Sequence, residues 1–255
     1  MAMIGTVMGG VKSGHAEAEL LAASEGYSPG TPMQLGIQLK LDSGWHTYWM
    51  NPGESGTTIS IDWVLPENWV AGKVLHPVPV RFLTGELAGF GYEKEVVMPV
   101  SLTPPTNANG KVTIQANVSW LTCDDSSCMP GQATLTMELE QRIGPGSGAD
   151  EIAEGLALVP APMTGAKLDV TTQEKVVTLD VTLPEGLDAT GSDVFPATAS
   201  VLDIRKPIKL WQHGSGWRTQ VPLNEYASGP PEKLEIVLAN GKLESPLMLT
   251  WESGS

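Results

Sequence analysis

Apolar residues recur at every second position through most of this chain. In Met33-Gln-Leu-Gly-Ile-Gln-Leu-Lys-Leu41 every odd-numbered residue is apolar. A period of two puts those side chains on one face of an extended segment, which predicts a strand with one buried face. The same alternation predicts an opening edge strand over Ala16–Ala22 and further strands over 57–65, 95–102, 111–121 and 132–140. An aromatic strand, Gly44-Trp-His-Thr-Tyr-Trp-Met-Asn-Pro-Gly-Glu-Ser-Gly56, breaks into a turn. Residues 74–80 carry two prolines and read as an edge strand or an irregular segment.

Helical periodicity is scarce. After a glycine-rich linker at 143–149, residues 150–157 have room for two helical turns, with Asp150 as the N-cap. Strands then resume at 167–170, 175–183, 197–202, 208–211, 217–221, 233–238 and 247–251. Short strands at this spacing predict an all-β chain of two β-sandwiches, the second immunoglobulin-like in size. The expected division is 14–143, a linker with a short helix at 144–160, and 161–252.

The two cysteines of the chain, Cys123 and Cys128, stand at either end of the short polar stretch Asp124-Asp-Ser-Ser127. Alternating runs flank it on both sides, so the segment reads as a β-hairpin with a cysteine near each end of its loop. Sulfurs so placed come within bonding range, and the tip is read as a redox-active disulfide. The rival is a structural staple. Closing so short a loop stabilises by roughly 2 kcal/mol in the chain-entropy model, little for a chain this long. Asp124 and Asp125 beside Cys123 raise a thiol pKa by like-charge repulsion, which suits a relay attacked by its partner better than a strong oxidant.

Composition narrows the classes further. A formal charge of −14 and a pI near 4.6 argue against nucleic acid or an anionic membrane surface as partner. No window approaches the ~20 apolar residues of a membrane span. Residues 1–10 read as the remnant of a signal peptide or a cloning leader, and 253–255 as an added tail; both are set aside.

Other chemistry is thinner. His15, His46, His76 and His213 lie in separate segments, a poor zinc pattern, so no metal and no cofactor beyond the disulfide is expected. A Cu(I) protein using Cys123, Cys128 and Met129 is one rival reading, and a non-enzymatic binding module is another. Trp45, Trp49, Trp63, Trp69 and Trp120 read as sandwich core rather than a stacking platform for sugars or bases. Residues 83–91 form a glycine-rich loop with one exposed-looking aromatic, Phe90, and glycines at 85, 89 and 91 let such a loop move aside.

Three stretches together, 44–56, Phe90-Gly-Tyr-Glu93 and Val118-Ser-Trp-Leu-Thr-Cys123 with Cys128-Met-Pro130, resemble one family. It is the N-terminal periplasmic domain of the DsbD thiol:disulfide interchange proteins, in the ScsB-like branch associated with copper tolerance. The resemblance runs from about residue 16 to 140 and more weakly beyond. It implies an immunoglobulin-like fold and a periplasmic ectodomain of an inner-membrane protein. It also implies a protein-disulfide reductase that takes electrons from the parent's transmembrane domain and passes them to thioredoxin-like domains and periplasmic thioredoxin-fold proteins. Carried onto this sequence, Cys123 and Cys128 are the redox pair. Residues 83–91 are a cap with Phe90 or Leu87 as lid, Tyr92 and Glu93 stand at its base, and His46 and Tyr48 line the site. Cys128, just ahead of Met-Pro, is expected to be the sulfur attacked.

Overall fold

The structure, a computed structural model, describes residues 9–254, so most of the leader at 1–10 and the last residue of the tail lie outside the described residues. Its elements run β1 (Val11–Ser13), β2 (Ala16–Ala22), β3 (Met33–Leu41), β4 (His46–Gly53), β5 (Ser60–Val64), β6 (Val70–Ala71), β7 (Val80–Thr84), β8 (Leu87–Tyr92), β9 (Glu95–Thr103), β10 (Val112–Cys123) and β11 (Cys128–Leu139). Helix α1 (Ala149–Ala157) follows. Then come β12 (Ala161–Pro162), β13 (Lys167–Gln173), β14 (Val176–Thr182), β15 (Asp193–Pro196), β16 (Trp211–His213), β17 (Gly216–Pro222), β18 (Lys233–Ala239) and β19 (Leu247–Glu252). The chain is all-β, with one helix among the described residues.

These elements form two compact units that are not contiguous in sequence. The first holds the chain up to Tyr48, then Thr57–Pro77 and Tyr92–Ala157. The second takes Trp49–Gly56, Val78–Gly91 and Leu158–Ser255. The expected division at 143/144 therefore differs from the contacts: two segments of the first half belong to the second unit, and the helix expected in the linker belongs to the first.

In the first unit one sheet has the order β1-β2-β3-β9-β6. The other is built on β10, which pairs with β11, with β5 and with the start of β4. The predicted alternation of β10 is present: Ile114, Ala116, Val118 and Trp120 are buried and join Leu35, Ile37, Leu39, Met98, Val100 and Leu102 in the core. Strand β2 is not an edge, because β1 and β3 flank it.

Strand β3 departs from the one-faced pattern, since Gly36 and Gln38 are buried as well. Helix α1 covers that second face. Ile152, 1% exposed, packs with Leu21 and Val97. A Cβ on Gly36 would lie 2.9 Å from Ile152, and one on Gly155 would lie 2.7 Å from the Val97 carbonyl, so both glycines permit the close helix–sheet approach. The helix starts at Ala149 rather than after Asp150. Asp150 thus sits beside Glu151 in the first turn, where a carboxylate favours the helix dipole instead of capping it.

The second unit contains two four-stranded sheets, β12-β19-β18-β15 and β13-β14-β17-β16. Two expected strands shift. Residues 197–202 form turns, and the strand is β15 just before them, where Val194 and Phe195 are buried. The expected strand at 208–211 is displaced to β16. Residues 83–91 are not a loop: β7 and β8 pair from Val80↔Gly91 to Thr84↔Leu87, and Gly85, with a φ of 62°, turns the hairpin. Alternating Ala-Gly-Phe-Gly carries too little hydrophobic signal to announce a strand, although it forms one.

Candidate functional site: a disulfide with one buried and one exposed sulfur

Strands β10 and β11 pair without a break from Val112↔Leu139 to Cys123↔Cys128. This register sets the two cysteines directly opposite each other, with Cα atoms 4.1 Å apart and an S–S bond of 2.02 Å. So short a separation belongs to a non-hydrogen-bonded pair of an antiparallel ladder. Beyond it the Asp124 N–H donates to Ser127 O at 2.9 Å and closes the loop.

On its other side, Cys123 is paired with His46 of β4. Cys128, Cys123 and His46 therefore form a row across three strands with side chains on one face. Tyr48, two residues along β4, shares that face, and its hydroxyl donates to Cys123 Sγ at 3.0 Å. The rings of His46 and Tyr48 meet edge to face at 5.5 Å. On the opposite face Thr47 Oγ1 donates to Leu121 O at 2.9 Å, and the Thr122 hydroxyl donates to Gly14 O.

That last bond belongs to a clasp the sequence reading missed. The β1–β2 turn uses Gly14 and His15 at φ 52° and 59°, a primed hairpin turn. It lies so close to β11 that a Cβ on Gly14 would stand 2.6 Å from the Gly131 amide nitrogen. Next to it the Gln132 N–H donates to Ser13 Oγ at 3.1 Å. The Gly-His pair between two alternating runs was the available signal. Trp45, just ahead of His46, stacks on the His15 ring at 3.7 Å.

The two sulfurs differ in access. Cys123 is 0% exposed, whereas Cys128 is exposed and followed by the half-exposed Met129. Charge around them is arranged rather than merely present. Asp124 Oδ1 accepts from the N–H groups of Ser126 and Ser127 at 2.8 and 2.7 Å and from both hydroxyls. These donors, the backbone ones foremost, hold its carboxyl at about 2. Asp124 thus remains ionised with its charge turned onto the loop. Burial holds the His46 imidazole below its ordinary value, opposed by the nearby Glu93, Asp125 and Asp124.

Of the residues singled out from sequence, Cys123, Cys128, His46, Tyr48 and Glu93 come together in this unit. Tyr92 is buried, its hydroxyl donating to Pro77 O at 2.9 Å, and burial drives its pKa well upward. Phe90 is not an exposed tip. It is 2% exposed in β8 and packs edge to face against Trp49 and Phe195 within the second unit. Leu87, by contrast, is 46% exposed at the hairpin turn. Among the described residues no group of three or more His, Cys, Asp or Glu side chains is placed to hold a metal ion. Of the five tryptophans read as core, Trp49, Trp69 and Trp120 are buried, whereas Trp45 and Trp63 are half-buried.

A pair of sulfurs so differentiated is suited to thiol–disulfide exchange, and the comparisons with known proteins point the same way. Residues 17–140 match the family model described as "Thiol:disulfide interchange protein DsbD, N-terminal". The fold is similar to that of the N-terminal periplasmic domain of ScsB from Proteus mirabilis, with a TM-score of 0.69 and 18% identity over 94% of each chain. No curated protein matches the chain at a significant level. Residues 17–140, which carry the whole disulfide site, belong to the DsbD N-terminal family of thiol:disulfide interchange domains.

Proposed function

We propose that this chain is a periplasmic thiol–disulfide exchange module that receives electrons from a membrane-embedded domain of its parent protein and passes them to thioredoxin-fold proteins. The observation that carries it is the pairing of an exposed sulfur, Cys128, with a buried one, Cys123, that accepts a hydrogen bond from Tyr48. A donor thiolate attacks Cys128 Sγ, and the S–S electron pair leaves on Cys123 Sγ, where the Tyr48 hydroxyl stabilises the developing negative charge. A second donor thiol resolves the mixed disulfide and leaves the dithiol. The dithiol then reduces a partner's disulfide by the same steps in reverse, with Cys128 as the nucleophile.

The membrane-embedded donor and the periplasmic address rest on the family match and on the likeness to the ScsB domain. Residues 161–252 would serve as a docking sandwich in that assembly. Ala88, next to Leu87, is hydrogen-bonded to Glu54, just past the end of β4 opposite to His46, so neither Leu87 nor Phe90 is retained as a lid in this proposal.

The test is the reduction potential of the Cys123–Cys128 pair together with its exchange against a thioredoxin-fold protein. Exchange within minutes and a potential near the −180 to −270 mV of exchange catalysts are expected. A potential below about −300 mV with no exchange would mark a structural staple and overturn the proposal.

A further inference from the structure

His46 is the third residue of the sulfur row. It stands directly across the ladder from Cys123, on the side away from Cys128, with its side chain on the same face. It is 6% exposed, and its ring edge meets the Tyr48 ring whose hydroxyl touches Cys123 Sγ. A thiol in the position of Cys123 has no solvent to take its proton, since the residue is fully buried. Burial also disfavours the thiolate, which is the only form able to attack a disulfide. An imidazole facing the closed end of the site answers that need.

We infer that His46 is the proton acceptor and donor for Cys123, serving the buried sulfur while Cys128 exchanges with partners. This rests on the proposed entry at Cys128. In the closing step the Cys128 mixed disulfide is intact and Cys123 carries its proton. His46 takes that proton as Cys123 Sγ attacks Cys128 Sγ. The Cys123–Cys128 bond forms, the bond from Cys128 to the partner breaks, and the partner leaves as a thiolate with the electron pair. The imidazolium then loses its proton to solvent. In the opposite direction the imidazolium protonates Cys123 as it departs. Around His46 lie Tyr48 on its own strand, Cys123 on the neighbouring strand, Asp124 and Asp125 in the hairpin loop, and Glu93 ahead of β9. Burial lowers the proton affinity of the ring, and the three carboxylates oppose that shift by favouring its protonated form.

The two steps separate when the reduced full chain reacts with 5,5′-dithiobis(2-nitrobenzoate). The first thionitrobenzoate released reports attack by Cys128, and the second reports closure by Cys123. With His46→Gln and with His46→Tyr, which keeps an aromatic ring against Tyr48 but offers no base at neutral pH, the second phase at pH 7 is expected to slow about tenfold or more. The first phase should change by less than about twofold, as expected for a base that serves only the second step. In the wild type the second phase should level off above the His46 titration, whereas in both variants it should keep rising with pH.

A wild-type second phase and pH profile in His46→Tyr would show that the ring only packs, and would overturn the inference even if His46→Gln failed to fold. The underlying entry point is tested separately with single-cysteine variants. Faster labelling of Cys123 in Cys128→Ser than of Cys128 in Cys123→Ser would sink the entry at Cys128, whatever His46 does.

Discussion

Replacing Tyr48 by phenylalanine removes the hydroxyl that donates to Cys123 Sγ. The ring is 1% exposed and packs against His46, so the substitution removes an oxygen without opening a methyl-sized void. In the disulfide, an O–H to sulfur contact at 3.0 Å is a weak bond. Once the S–S bond breaks, the same hydroxyl faces a thiolate, and a bond to a charged group is worth about 1.5–3 kcal/mol. Taking the lower figure, because the neutral contact is lost too, Tyr48→Phe should slow reduction by dithiothreitol about tenfold at pH 7. The same loss should raise the Cys123 thiol pKa by about one unit, read as thiolate absorbance in a Cys128→Ser background. Stopped-flow tryptophan fluorescence follows the first quantity. A rate within about twofold of wild type, with an unmoved thiol, would refute the idea that Tyr48 stabilises the departing sulfur.

Three further outcomes follow from packing and titration. Ile152→Ala, which empties a site 1% exposed between α1 and the first unit's sheet, should cost about 2–4 kcal/mol of stability while leaving exchange rates unchanged; equal urea midpoints would contradict the packing. Gly131→Ala puts a Cβ into the Trp120 indole directly across the ladder, and a loss of about 1–3 kcal/mol with slowed exchange is expected, calorimetry being the check. His76 is held at about 4 by burial, with its Nδ1 unpartnered. Its folded pKa lies below the unfolded one, so its contribution is present above about pH 6.5 and lost as the pH falls toward 4. The full linkage is about 3 kcal/mol, less in proportion to the ring's residual exposure. His76→Leu should flatten that part of the stability profile, and an unaltered slope between pH 6.5 and 4 would exclude it.

What the sequence disclosed divides along a physical line. Strands with β-branched or leucine alternation, such as β10 and β14, announce themselves, because one face is drier than the other. So does the cysteine hairpin, whose register is determined by the two alternating runs on either side of a short loop. Strand β8 did not: Ala88, Gly89 and Gly91 bury no large side chain, and Phe90 read as a loop aromatic because its partners Trp49 and Phe195 lie far off in sequence. The two buried faces of β3 were hidden for the same reason, since the residue that covers the second face, Ile152, comes more than a hundred positions later. The site showed the same split. Its sulfurs were legible as a pair, whereas the Tyr48 contact depends on a strand register that a single chain of letters does not carry.

The inequality of the two sulfurs follows from where their strands lie. Cys123 ends a strand paired on both sides, by β11 and by β4, so its side chain is enclosed by residues of its neighbours. Cys128 opens a strand that stands last in its sheet, and the residue is exposed. Because side chains alternate at every residue, slipping β4 by one position against β10 would bring Thr47 opposite Cys123 and turn both His46 and Tyr48 to the other face. The S–S bond would survive such a slip, but the hydroxyl donor and the imidazole would not remain beside it. The side-chain contact across this register, Thr47 Oγ1 to Leu121 O, is therefore part of the redox site although it touches neither sulfur. Thr47→Val should test this: with the strand pairing loosened, exchange should lose its dependence on Tyr48 while the disulfide still forms. A Tyr48→Phe effect undiminished in the Thr47→Val background would show that the register is held elsewhere.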